Sequence, residues 1–156
     1  MAYDSTNDTL QHINLVRQLL EKVIENFKKR AVDHDHSKLL TPEKEIFDEY
    51  TPKLQKSTYG SEEYKSFLAG MQAGLKHHYE NNSHHPEHYT NGIKGMSLLD
   101  LLEMLVDWKA ATMRHDDGDL LKSIEINQKR FNYSDELKII FLNTVSELKL
   151  LNIVKK

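Results

Sequence analysis

From Leu10 to Leu151 the apolar residues of this chain recur every three or four positions, and nowhere do they alternate over a useful length. Only helices bury a face with that period, so the chain is constrained to an all-α fold. Leu10, Ile13, Val16, Leu19, Leu20, Val23, Ile24 and Phe27 set out a first helix from about Asp8 to Arg30, with Asp8 as its N-cap. Thr41-Pro42 looks like the start of a short second helix through Ile46, Phe47 and Tyr50, which Thr51-Pro52 interrupts. After a loop over Lys56 to Gly60, Ser61 caps a third helix carrying Tyr64, Phe67, Leu68, Met71, Leu75 and then His78. Ser97, with Asp100 as an approximate capping box, opens a helix that is apolar nearly all round, the expected central one. Beyond the turn Asp116-Asp117-Gly118-Asp119, helices follow over Leu120–Phe131 and after Ser134. A single compact bundle of about six helices, one domain over 1–156, is the expected architecture.

The totals remove several function classes. With no cysteine, disulfides, thiolate zinc sites and thiol catalysis are excluded. A net charge of −3 offers no basic channel, so a nucleic-acid polymer is not an expected partner. The one basic cluster, Lys28-Lys29-Arg30, suits the C-terminal end of a helix dipole. No apolar run reaches the ~20 residues of a membrane span, and the N-terminus does not look like a signal peptide, which makes the cytoplasm the default location. The anomaly is nine histidines, five of them between His77 and His88.

Those histidines are joined by a second feature, Asp33-His34-Asp35-His36-Ser37-Lys38, which falls between two helical patterns. Neighbouring side chains reach one ion only where the backbone turns, and this run lies at such a place. A solvated loop is its ordinary explanation. On the first helix His12 lies within about 40° of Val16, Leu19 and Val23, so it faces inward, as a ligand or as a hydrogen-bonded core histidine. His78 lies within about 20° of Met71 and faces inward too, whereas His77 points aside. On the apolar helix one stripe is polar: Asp100, Glu103, Asp107 and Arg114. It is either the helix's solvent face or the lining of a metal cleft. Imidazole and carboxylate without thiolate suit manganese, iron, cobalt, nickel, zinc or magnesium. His-Glu-x-x-His, a Glu-x-x-His motif, a calcium loop, a phosphate loop and a nucleophile elbow are all missing.

The order His12, His34-Asp35, Asp107 resembles the HD-domain superfamily of metal-dependent phosphohydrolases. His34-Asp35-His36-Ser37-Lys38 is similar to that family's His-Asp-x-Gly-Lys, with Ser37 for the frequent glycine. Leu105-Val106-Asp107 is similar to its terminal Ala-Asp segment, with Val106 for the alanine. The resemblance covers roughly residues 8 to 114. It implies a first divalent ion on His12, His34, Asp35 and Asp107, and a second, bridged by Asp35, on His78 with His84 or His85. The stretch His84-His85-Pro86-Glu87-His88 also resembles an uncharacterised helical family of bacteria and phages, to which no activity is attached. The ordinary reading of that stretch is a surface loop.

The function so implied is metal-dependent hydrolysis of a nucleotide or other phosphomonoester, by in-line attack of water activated at one or two divalent ions. Asp35, Lys38 and Glu103 are the expected catalytic groups, with Glu103 as general acid or as the orienter of a histidine. Lys38, Arg114 and Arg130 are the expected phosphate contacts, although a surface ion pair is the ordinary reading of each arginine. The competing readings are a non-catalytic metal-binding protein, structural or sensory, and a helical interaction module whose histidines bind nothing. A two-fold homodimer is the default assembly.

Overall fold

The computed structural model describes residues 3–57, 61–114 and 118–153. Among the described residues there are seven α-helices, four short 3-10 turns and no strand. The chain falls into two compact units, Met1–His36 and Ser37–Lys156. The turn expected at Asp116-Asp117 lies outside the described residues, as does most of the loop expected over Lys56 to Gly60, whose first residue instead ends a helix.

The first unit is one long helix, α1 (Thr6–Asp33), with the turn that ends it. It starts earlier than its apolar pattern suggests, capped at Ser5, and leaves Asp8 in its first turn. No residue of α1 is buried: Leu10, Ile13, Leu19, Leu20 and Ile24 are all exposed by half or more. The expectation of an inward face, and of an inward His12, is therefore corrected, because α1 has no second helix in its own unit to pack against. The turn is sharp. His34 is the C-cap, its N–H donating to the Arg30 carbonyl at 2.8 Å, and Asp35 takes φ +55°. A left-handed residue that is not glycine costs energy, and aspartate is among the few that tolerate it.

In the second unit, α2 (Glu43–Lys56) packs on α3 (Glu62–Gly70) and α4 (Gln72–Asn81). Pro52 sits inside α2 and does not interrupt it. It lies on an exposed face in the second half of the helix, where the lost N–H leaves a carbonyl that water can serve. The helix expected to run unbroken from Ser61 to Asn81 is divided at Met71. Glycine is needed on both sides of that break. A Cβ at Gly70 would lie 2.4 Å from the Tyr50 ring, and one at Gly74 would lie 2.9 Å from Ile46 Cγ2. Small residues there let the backbones of α3 and α4 come close to α2.

The hydrophobic core is built by α5 (Leu98–Thr112), α6 (Leu120–Phe131) and α7 (Asp135–Glu147). Met104, Leu105, Leu120, Ile124, Phe141 and Val145 are its centre, joined by Tyr133 and Leu150. The expected caps are in place: Ser61, Ser97 and Ser134 each accept an N–H of the first turn, and Ser97 with Asp100 completes a capping box. Asp119 caps α6 in the same way. On α7, Phe141 and Val145 face the core while Ile139 and Ile140 are exposed, as are Leu148 at its C-cap and Leu151 in the 3-10 turn that follows.

Two expectations test this packing. Gly74→Ala gains about 1 kcal/mol in helix propensity. It also forces Ile46 aside, an overpacking cost of about 1–3 kcal/mol, so thermal unfolding should show net destabilisation. Tyr133 donates from its hydroxyl to the Ile124 carbonyl at 2.6 Å, and burial raises its pKa to about 12. With the folded pKa raised above 10, its contribution is complete below pH 10 and is lost as pH rises toward 12. Tyr133→Phe should cost about 1 kcal/mol at neutral pH, and its stability should fall less steeply than the wild type's between pH 10 and 12.

Candidate metal and substrate site

The site begins with a carboxylate that sequence reasoning missed. Glu43 opens α2 and is fully buried. It stands at i, with Ile46, Phe47 and Tyr50 at i+3, i+4 and i+7, so it lies on the helix's apolar face. That register was the available signal. A buried carboxylate must be paired, and Glu43 is: Ser37 Oγ donates to Oε2 at 3.0 Å, His78 Nδ1 lies 2.9 Å from Oε2, and His77 Nδ1 lies 2.7 Å from Oε1. Burial pushes its pKa up, but the hydrogen bonds from His77, Ser37 and His78 outweigh this and hold it below the usual carboxylate value. Asn82, also buried, donates to Ser37 Oγ at 2.8 Å and to the His78 carbonyl at 2.8 Å.

With Nδ1 committed to Glu43, His78 presents Nε2 to the other side, where it lies 2.9 Å from His85 Nε2. The ring of His84 is 4.2 Å from that of His85 and 6.2 Å from that of His78, centre to centre. His84 is buried, and its Nδ1 lies 3.2 Å from Glu103 Oε1. Three imidazoles therefore meet, two of them oriented through Nδ1 by a carboxylate. This is how proteins fix the tautomer of metal-ligating histidines. The span between His78 and His85 is also right: two nitrogens each ~2.05 Å from one ion stand about 2.9 Å apart in octahedral and about 3.3 Å apart in tetrahedral geometry. The residues present fit a borderline divalent ion held by imidazole.

The remaining expected residues divide. Asp107 is half-buried and borders a cavity of about 420 Å³ that His85, Tyr79, Trp108 and Arg130 border too. Glu103 takes the orienting role rather than an exposed one. Lys38, half-buried on the 3-10 turn His36–Leu39, has Nζ 5.9 Å from the ring of Phe47, which packs edge-on against His78. Arg114 is exposed beyond the end of α5 and is not among the residues bordering the cavity. Asp100, from the same polar stripe, is buried and satisfied by Ser83, Tyr89 and Ser97, so its work is structural.

In the first unit His34 Nε2 and Asp35 Oδ2 lie 3.8 Å apart at the turn, both partly buried. His12 does not join them. About six turns of unbroken α1, roughly 30 Å, separate His12 from His34, too far to share an ion within one chain. The four-residue set His12, His34, Asp35 and Asp107 is corrected on that point. The polar loop from His84 to His88 is likewise no loose surface segment: His84 and Pro86 are buried, and His88 Nδ1 lies 2.8 Å from the Tyr79 carbonyl.

If these imidazoles hold an ion, cobalt added to the full chain should give the visible absorption of a nitrogen-ligated site and raise the unfolding temperature. Glu103→Gln, which keeps the shape but removes the negative charge beside His84 Nδ1, should weaken that binding about 10–100-fold.

Across residues 1–156 the chain belongs to a family of unknown function, DUF5662. No curated protein and no solved structure matches it.

Proposed function

We propose that this chain is a metal-dependent phosphohydrolase of HD-domain type, acting on a nucleotide or other organic phosphomonoester. The observation that carries the reading is the meeting of His78, His84 and His85, oriented by Glu43 and Glu103, at the edge of a cavity that also holds Asp107 and Arg130. The likeness of His34-Asp35 and Asp107 to the HD pattern supplies the reaction class. The place of His12 weakens that likeness by one position of four.

A divalent ion at the imidazoles would supply acidified water and neutralisation of developing negative charge. Everything else falls to the chain. His78 and His84 are held rigidly by their carboxylates, so little reorganisation is needed when a ligand arrives. His85 faces both the cluster and the cavity, which puts substrate beside the imidazoles. Arg130 offers the fork of donors that suits a phosphate. Lys38, near the Phe47 ring, is the remaining group for binding or proton handling, and Asp35 enters only through the likeness of His34-Asp35 to the HD pattern. The burial of His78 and His84 favours the second reading, a closed structural ion; the opening at His85 favours catalysis.

Purified protein loaded with manganese, cobalt or zinc should hydrolyse members of a phosphomonoester panel. His85→Ala and Asp35→Asn should each lower kcat at least about 100-fold, while the far-ultraviolet dichroism stays native. Tight, stoichiometric metal with no turnover on any ester would leave the structural reading, and failure to bind metal under any loading would sink both.

A further inference from the structure

Glu87, the partner of Arg130, is the charged residue that the reading above leaves unexplained. Glu87 stands two residues after His85, in the 3-10 turn Pro86–His88, and accepts a hydrogen bond from Arg130 Nη2 at 2.8 Å across 43 residues of sequence. The guanidinium lies over the Phe131 ring, 4.7 Å from its centre. Ser123, Asn127 and Arg130 follow one another at helical spacing along α6 and border the 420 Å³ cavity together. Trp108 and Phe131 border it as well, their rings parallel within 4° and 6.4 Å apart. A cavity of this size takes an organic ligand rather than a bare inorganic ion. It combines flat apolar surface, a row of hydrogen-bonding groups and one guanidinium that is at present satisfied by a carboxylate of the chain.

We infer that this cavity binds a flat, unsaturated organic anion, whose acidic group displaces Glu87 from Arg130 while its ring lies along Trp108. Glu87 is a placeholder: its carboxylate occupies Arg130 until a stronger anion takes over. Displacement costs little, since the Arg130 side chain is 56% exposed and an exposed ion pair contributes little to stability. Among the described residues that border the cavity Asp107 is the one carboxylate, and its repulsion is relieved when a cation sits at the His85 end. The inference rests on the phosphohydrolase reading only in taking this ligand to be the substrate; the cavity itself needs no metal to exist.

Trp108 is the only tryptophan of the chain, so its fluorescence reports the cavity directly. The full chain would be titrated with phenyl phosphate, phenol and inorganic phosphate, once with chelator and once with zinc. Phenyl phosphate should give a saturable change in at least one condition, at a concentration about 10-fold or more below either fragment. Arg130→Gln should weaken it about 10-fold or more, and Glu87→Gln should tighten it severalfold. Both positions are solvent-accessible, so the fold should survive, checked by dichroism. No saturable change in the wild type, or an Arg130→Gln protein within two-fold of it, overturns the inference; a weakened Glu87→Gln protein overturns the placeholder. Arg130-dependent binding in a chain that takes up no metal would uphold the cavity and remove the metal reading. Metal binding and turnover that ignore Arg130 would do the reverse.

Discussion

A carboxylate sealed from solvent is the interaction on which the second unit depends. Glu43 remains charged because Ser37, His77 and His78 all reach it, and the two histidines reach it because α4 packs closely on α2. That closeness rests on Gly74, one turn before His78 and against Ile46, itself less than one turn after Glu43. Removing one member of a buried charged pair commonly costs about 3–5 kcal/mol, since the other is left unsatisfied. The histidines nearest the candidate metal are thus held in place by folding itself. A chain lacking Glu43 would lose both the helix contact and the orientation of His78.

The sequence His84-His85-Pro86-Glu87-His88 makes sense on this frame, because each residue has a different partner. His84 turns to Glu103, His85 to His78, Glu87 to Arg130 and His88 to the backbone of Tyr79 at the end of α4. Pro86 is buried and starts the 3-10 turn that sends them apart. Five consecutive residues therefore connect α4, α5 and α6.

What could be read from the residues alone was mostly local. The serine caps before the third helix, the apolar helix and the last helix depend on spacing within one turn, and they are where the pattern put them. The inward phase of His78 likewise followed from its distance to Met71. The break at Met71 was hidden because it answers to Tyr50 and Ile46 on another helix, and apolar periodicity continues through it. Pro52 misled because α2 accommodates it on an exposed face, where water can serve the carbonyl that its missing N–H leaves. Glu43 escaped notice because a charge on an apolar face looks like an exception until its partners, 34 and 35 residues on, are known. His12 shows the opposite error: helix phase gives a direction for a side chain but not something to face.

Trp108 belongs to two structures at once. Its ring meets Phe141 edge-on and lies nearly parallel to Tyr133, both of them core residues, while another part of it borders the cavity beside His85. No layer of side chains insulates one from the other. Whatever occupies the cavity is therefore linked thermodynamically to the melting of α5, α6 and α7: an occupant that prefers the native chain shifts the unfolding equilibrium by mass action. The reverse holds with equal force. A methyl group lost from the core beside Trp108 would loosen one border of the cavity, so at this ring affinity and fold stability are coupled.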